Sequence, residues 1–222
     1  MRTRKLATEV RRDQIASAAL QIIAAHGVRG LSLAAVARRV GLVPSAIYRH
    51  FAGKDEILDA TLDHLGARLH GNLGLAAEAV SDPVDRLHEL LARHVRLIRE
   101  NQAIPQIIFS EEVYGGRSDR KAKVRAIITG YLDGVAAIVR EGQAKGRIRP
   151  DIEPQVGAVG FLGLIQPAAI LWHLSDGGFD VTRHTERAWR IYRTGIEAPE
   201  PVTMKRRGVR SPGARRGKGG PR

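Results

Sequence analysis

The chain has 222 residues and no cysteine, so it can bury a core in two modest domains but holds no disulfide and no thiolate zinc site. Its net charge of +13 lies at the two ends: residues 1–58 carry ten basic and four acidic side chains, and residues 201–222 carry eight basic and no acidic ones. Because residues 59–200 are nearly balanced, this distribution favours a polyanionic partner for the two ends.

Two helices are predicted before Gly41. The first spans residues 10–26, where isoleucine and alanine recur at helical spacing, and Gly27 follows as a stop. The second occupies residues 33–40, behind Ser32, whose hydroxyl can cap its N-terminus. Gly41 suits the left-handed residue that ends such a helix.

A third, short helix is predicted from Pro44 to His50, because proline fits the first helical position. Ile47 and Phe51 are four residues apart and can face inward. The side chains then predicted to face outward are those of Ser45, Ala46, Tyr48, Arg49 and His50. A short exposed helix with small residues first and polar ones after can enter a DNA major groove. Residues 1–58 are therefore predicted to form a three-helix DNA-binding domain of the helix-turn-helix type, the alternative being three generic helices.

The rest of the chain is predicted to be helical as well, which gives an all-α fold of about nine helices. Leucines recur at helical spacing from Leu58 to Leu73 and predict one long connecting helix. Pro83 opens a further helix, and Ser118 and Thr182 are each predicted to cap another. No alternation typical of strands occurs, so residues 59–198 are predicted to be a second, helical domain.

Residues 156–174 contain no charged side chain and have the length of a membrane span. Gln166, Pro167 and His173 argue against a span, as does the lack of aromatic residues at its flanks. Glycines at every third position permit close approach of another helix, so this helix is predicted to be buried against a partner.

The two ends of the chain leave alternatives open. Residues 199–222 are rich in proline, glycine and arginine and are predicted to form a disordered tail, either a passive solubilising segment or a non-specific DNA tether. The basic run at residues 2–5 could reach a minor groove or be a flexible start. No apolar signal peptide precedes it, so a cytoplasmic protein is expected, with no membrane partner.

Catalytic motifs are lacking. The chain has no phosphate loop, no GxSxG elbow and no HExxH, and its eight histidines include no pair four residues apart. His88, near Asp85 and Glu89, is predicted to lie on a solvated helix face rather than in a metal site. No enzyme activity, catalytic residue, metal or cofactor is expected.

The N-terminal segment resembles the TetR/AcrR family of transcriptional regulators over about 60 residues. The resemblance rests on Ile15-Ala16, Ala37, Gly41, the run from Ala46 to Phe51, and the run from Lys54 to Leu58. In that family the third helix reads DNA, its tyrosine and histidine hold phosphates, and a lysine on the fourth helix clamps the backbone. The predicted DNA-binding residues are Ser32, Pro44, Ser45, Ala46, Tyr48, Arg49, His50 and Lys54.

Two positions depart from the family pattern. Val43 stands where a serine or threonine usually caps the third helix, and loss of such a cap typically costs about 0.5–2 kcal/mol. Ser45-Ala46 replaces the usual glycine and threonine, so Ala46 cannot make the hydroxyl contact to phosphate.

The resemblance also implies a homodimer through the last two helices, a double-stranded DNA operator and an unknown small-molecule effector in the second domain. The effector pocket is predicted to be lined by His94, Ile98, Ile107, Ile108, Phe109, Tyr131, Phe161 and Trp172, with ordinary core packing as the alternative. An apolar effector that releases a repressor is the first hypothesis. A DNA-binding activator or architectural protein without an effector is the second, and an all-α enzyme has no residues to support it.

Overall fold

A computed structural model describes residues 2–108, 110–115 and 117–199, and within them the chain is helical, with one isolated β-bridge and no strand. The all-α prediction is confirmed. The helices in the described residues are α1 (Arg2–His26), α2 (Leu33–Val40), α3 (Pro44–Tyr48), α4 (Lys54–Ala79), α5 (Pro83–Glu100), α6 (Ala103–Ile108), α7 (Glu111–Tyr114), α8 (Ser118–Ala144), α9 (Pro154–Gly163), α10 (Gln166–Leu174) and α11 (Val181–Ile196), with a 3-10 turn at Val28–Gly30.

The boundaries of α2 and α3 follow the local chemistry. The Ala35 N–H donates to Ser32 Oγ at 3.1 Å, and Gly41 ends α2 in the left-handed region at φ 70°. Val43 precedes α3 and makes no capping bond, because a valine side chain has no hydrogen-bond acceptor. The prediction placed the end of α3 roughly at His50, and the helix ends two residues earlier, at Tyr48. The amides of His50 and Phe51 both bond to the Ile47 carbonyl, which closes the helix with a tight turn.

α1–α3 and the start of α4 share one apolar core. Ile47 and Phe51 are 0% and 1% exposed, as their spacing predicted. Side chains from α6, α7 and α8 complete the same core, among them Ala103, Val113 and Val124. The predicted domain boundary at residue 58 falls inside α4, so the helix that completes the N-terminal core also enters the second half of the chain.

α4 and α8 run side by side in the same direction with a constant register. Asp59 meets Arg120, the position of Gly66 faces Ile127, and Leu73 lies against Gly134. The partners are seven residues apart along each helix, which is the repeat of helices that pack nearly parallel. This seam joins the N-terminal core to a second core formed by α5, α8, α9, α10 and α11.

The uncharged stretch predicted as one helix forms two. α9 ends at Gly163 and α10 begins at Gln166, with two short-range bonds between them. Pro167 explains the break because it has no N–H to donate to the Gly163 carbonyl. By length and composition, the stretch Pro154–Leu174 is the single membrane-span candidate among the described residues, which is weak support for a span.

Two predicted helix caps were wrong. Ser118 is the first residue of α8, and Arg117 before it makes no capping bond, since its guanidinium bonds the Asp119 carboxylate instead. At α11 the cap is Asp180, whose carboxylate accepts from the Arg183 N–H at 3.0 Å, and Thr182 already lies inside the helix. A carboxylate at the start of a helix also interacts favourably with the helix dipole, which accounts for the earlier start.

Candidate DNA interface and buried cavity

The exposed side of α3 forms a small continuous surface, here called the recognition surface. Its members are Val43, Pro44, Ser45, Tyr48 and Arg49. Val43 is 64% and Tyr48 is 62% exposed, although both carry large apolar groups. The side chains of Ile47 and Phe51 hold the opposite side of the segment in the core. This arrangement presents a short helix outward, as a major-groove reader requires.

Ala46 is not part of this surface, and the prediction that it faces outward was wrong. Its side chain is only 7% exposed. The buried stripe of a helix is wide enough to include neighbouring positions, here Ala46 and Ile47. Ala46 therefore packs on the core side and cannot reach a base edge. His50 lies between the two sides and is half-buried.

Arg12 of α1 fixes the end of the recognition surface. Its guanidinium donates to the His50 carbonyl at 2.9 Å and lies 4.4 Å from the centre of the Phe51 ring. It also lies 3.4 Å from Glu56, which accepts a 2.7 Å bond from the Ala52 N–H. Sequence reasoning missed Arg12, because nothing in the spacing of α1 indicates a partner 38 residues away.

Lys54 and Ser32 lie at the N-termini of the two helices that flank α3. Lys54 is the first residue of α4 and is half-buried, at a position where the helix dipole disfavours a cation. The Ser32 hydroxyl is exposed and already accepts its capping bond, so it retains an O–H to donate. Both positions suit contacts to an anion beside the recognition surface.

A cavity of about 80 Å³ lies between α4, α5, α6 and α8, and Leu162 of α9 and Gln166 of α10 also line it. Its polar wall consists of His94, Tyr131 and Gln166, and among the described residues no charged side chain lines it. The apolar wall is formed by Leu62, Leu65, Gly66, Leu69, Leu97, Ile104, Ile107, Ile108, Val124, Ile127, Ile128 and Leu162. A cavity of this composition suits an uncharged, largely apolar ligand.

His94 and Tyr131 form the polar centre of the cavity. His94 Nδ1 lies 3.0 Å from the Tyr131 hydroxyl, with the two rings nearly perpendicular. Burial lowers the pKa of His94 to about 4 and raises the pKa of Tyr131 above its ordinary value. Both groups are therefore neutral near pH 7 and offer hydrogen bonds without charge.

The predicted pocket residues divide into three groups. His94, Ile107, Ile108 and Tyr131 line the cavity. The predicted residues that instead pack in the core of the second half are Ile98, Phe161 and Trp172. Phe109 lies outside the described residues, as does the basic segment from residue 200 onward. The α4 side chains and the aliphatic side chains of α8 were missed, because stripes of leucine and isoleucine look the same whether they fill a core or line a cavity.

His88 makes more contacts than the prediction of a solvated helix face implies. Its ring stacks on Trp189 at 5.1 Å, and Nε2 lies 2.9 Å from Glu186. These contacts join α5 to α11, which the sequence spacing did not reveal. Within the described residues no group of three metal-ligating side chains comes together.

We expect acid to destabilise the protein through His94. The unfolded chain binds a proton at His94 below about pH 6.5, whereas the folded chain does so only near pH 4, so stability falls as the pH drops. The expected loss between pH 7 and pH 5 is about 2 kcal/mol. Urea unfolding at the two pH values measures it, and His94→Gln, which does not titrate, should lose correspondingly less. An equal loss in the variant would assign the effect to other groups.

Comparison with known proteins places both halves of the chain. Residues 15–61 match the family model of bacterial regulatory proteins of the tetR family. Residues 80–196 match the model of a tetracyclin repressor-like C-terminal domain. The first match runs from α1 to the start of α4, and the second covers α5 to α11.

Individual relatives agree over most of the chain. The chain is 20% identical over 183 residues to the fatty acid metabolism regulator protein of Bacillus subtilis, covering 82% of this chain and 94% of that protein. It is 28% identical over 196 residues to the HTH-type transcriptional regulator TtgR of Pseudomonas putida, covering 84% and 90%. The fold is similar to the crystal structure of FadR from Bacillus subtilis in complex with stearoyl-CoA, with a TM-score of 0.69, 20% identity, and coverage of 82% and 98%.

Proposed function

Because this chain belongs to the TetR family of bacterial regulatory proteins, we propose that it is a homodimeric repressor released from a palindromic operator by a small apolar effector. The observation that carries the proposal is the position of the uncharged cavity. Its walls include α4, the helix that begins at Lys54 beside the recognition surface. A ligand in the cavity would therefore act directly on the helix that begins with Lys54 and packs in the core of the DNA-binding domain.

DNA binding is assigned to the recognition surface and to the groups beside it. Tyr48 and Arg49 supply the exposed side chains with the longest reach, and Pro44 and Ser45 let the helix start approach the groove floor. The proposed backbone contacts come from Tyr48, His50 and Lys54, with Ser32 beside them. Ala46 is left out because it is buried.

The proposed dimer forms through an exposed apolar face on α9, α10 and α11. Its members, each at least 47% exposed in the single chain, are Val156, Val159, Leu171, Leu174 and Ile191. α11 packs against both α9 and α10, and exposed apolar side chains gathered on neighbouring helices are typical of an interface. A second copy covers it by two-fold symmetry, and two recognition surfaces related by a dyad read the two halves of a palindrome.

The effector is proposed to be a molecule with a long apolar part, such as an acyl chain. The cavity of about 80 Å³ is smaller than the roughly 300–1,000 Å³ of ordinary ligand sites, so binding must widen it. The Bacillus subtilis regulator of similar fold was crystallised with stearoyl-CoA. Widening would change the orientation of α4 and with it the spacing of the two recognition surfaces.

Selection of bound genomic fragments tests this function, with the full chain as bait and sequencing of the retained DNA. We expect a short palindromic site, protected as a single footprint, that is released by stearoyl-CoA or another acyl compound from a panel. The alternative, a DNA-binding activator or architectural protein without an effector, is supported by the basic ends of the chain. Sequence-independent coverage with a steep salt dependence and no release by any compound would favour that alternative.

A further inference from the structure

The first two turns of α8 are joined to the first three turns of α4 by a row of ion pairs, here called the charge ladder. Its members are Asp55, Asp59 and Asp63 on α4, Arg117 immediately before α8, and Arg120 and Lys123 on α8. The acidic residues are four apart and the basic ones three apart, so each set lies along one helix face. The ladder starts one residue after Lys54, at the end of α4 that adjoins the recognition surface.

Arg120 is the centre of the ladder and is only 1% exposed. Its Nε donates to Asp59 Oδ1 at 2.8 Å, and Nη2 donates to Asp55 Oδ1 at 3.1 Å and to the Asp55 carbonyl at 3.2 Å. Nη1 donates to the Val113 carbonyl at 3.2 Å. A guanidinium is costly to bury unless its donors are met in fixed geometry, so these bonds hold the two helices in one register.

The same two helices both line the cavity immediately beyond the ladder, and they approach each other closely at Gly66. Asp59 and Arg120 form the central rung, and one heptad further on Gly66 faces Ile127 across the cavity wall. A Cβ on Gly66 would lie 2.9 Å from the Ile127 side chain, closer than contacting carbon atoms approach. His70 Nε2 closes the far side with a 2.8 Å bond to the Ile127 carbonyl. The cavity thus lies between two polar contacts of α4 with α8, which are the charge ladder on one side and the His70 bond on the other.

We infer that the charge ladder transmits widening of the cavity to the DNA-binding domain, with Arg120 as the positioning residue. This inference rests on the proposed function. With the ladder intact, α4 and α8 cannot part at their charged ends, so separation at Gly66 turns α4 and the domain attached to it. Without the ion pairs of the ladder, the first turns of α4 adopt the orientation that bound DNA favours, whether or not the cavity is widened. The ladder therefore serves coupling rather than DNA contact.

A side chain at position 66 can replace the effector in the test. Gly66→Leu places a wedge between α4 and α8 inside the cavity. Gly71→Leu is the matched control, because it lies on the same helix and a Cβ there meets nothing within 4 Å. Each is made in the natural chain and together with Arg120→Gln, and affinity is measured for one genomic fragment selected by the natural protein. Circular dichroism and sedimentation velocity verify that each variant is folded and has the same assembly state.

We expect Gly66→Leu to weaken binding of the fragment by about tenfold or more in the natural chain and by less than about threefold in the Arg120→Gln chain. Gly71→Leu should have little effect in either. Should Gly66→Leu fail to fold, Gly66→Ala supplies a smaller wedge. Should Arg120→Gln fail to fold, Arg117→Gln with Lys123→Gln removes the two outer cations and keeps the buried one.

The outcomes separate the two claims. Equal weakening by Gly66→Leu in both backgrounds means that the ladder only stabilises the fold, which overturns the inference and leaves the proposed function standing. No weakening in the natural chain overturns the inference as well, because the cavity then does not communicate with DNA. Absence of any specific fragment overturns the proposed function and the inference together. Restoration of the wedge effect by Arg120→Lys would support the role of the charge itself.

Discussion

Replacing Tyr48 and Arg49 together by alanine should abolish specific DNA binding while leaving the fold and the dimer unchanged. Both side chains are exposed on α3, and the helix is held in the core by Ile47 and Phe51, which the substitutions do not touch. Each subunit of a dimer loses the proposed phosphate contact of Tyr48 and the base contact of Arg49, and a specific base contact alone contributes about 1–3 kcal/mol. The affinity for a selected fragment should fall by about a thousandfold or more, as measured by fluorescence anisotropy.

The matched control for this variant is Arg140→Ala, which removes one positive charge from the exposed face of α8. It should lower affinity only slightly, since a distant cation acts through the weak long-range field. Circular dichroism should give the same helix content for all proteins. Unchanged specific binding by the Tyr48 and Arg49 variant would exclude α3 as the reading helix.

Local chemistry made the DNA-binding segment predictable from the sequence. Ser32 caps, Gly41 turns and Pro44 starts a helix for reasons that involve only a few neighbouring atoms, and the structure places all three as expected. The four-residue spacing of Ile47 and Phe51 likewise determined which side of α3 is buried. Ala46 was misplaced because an alanine fits either side, and only the packing around α3 decides between them.

Long-range relations were not predictable in this way. Arg12 and Arg120 were passed over as ordinary cations, because their partners lie 38 to 65 residues away in sequence. The cavity was placed only in part, since His94 and Tyr131 signal a polar pair but the apolar wall looks like any core. The register of α4 against α8 determines both the ladder and the cavity, and no single helix pattern contains it. Features that follow from the residue pattern of a single helix were thus predictable. Features that follow from how two helices pack against each other were not.

Introducing glutamate at Leu174 and Ile191 together should convert the proposed dimer into a monomer that binds DNA poorly. In the single chain these side chains are 73% and 78% exposed, so the charges are hydrated and the monomer fold is retained. In the proposed dimer four carboxylates would be buried without partners, and each costs several kcal/mol. Such a cost exceeds what a standard interface can supply.

Sedimentation velocity and DNA binding measure the two consequences of this variant. The monomer presents one recognition surface, so affinity for a palindromic fragment should fall by about a thousandfold, because binding of the second half-site is no longer intramolecular. Leu75→Glu on α4 is the matched control: Leu75 is 47% exposed, as much as Leu171 of the apolar face, but lies on another helix. That control should stay dimeric. A double-glutamate variant that remains dimeric would place the interface elsewhere, and the exposed apolar face of α9, α10 and α11 would then need a different partner.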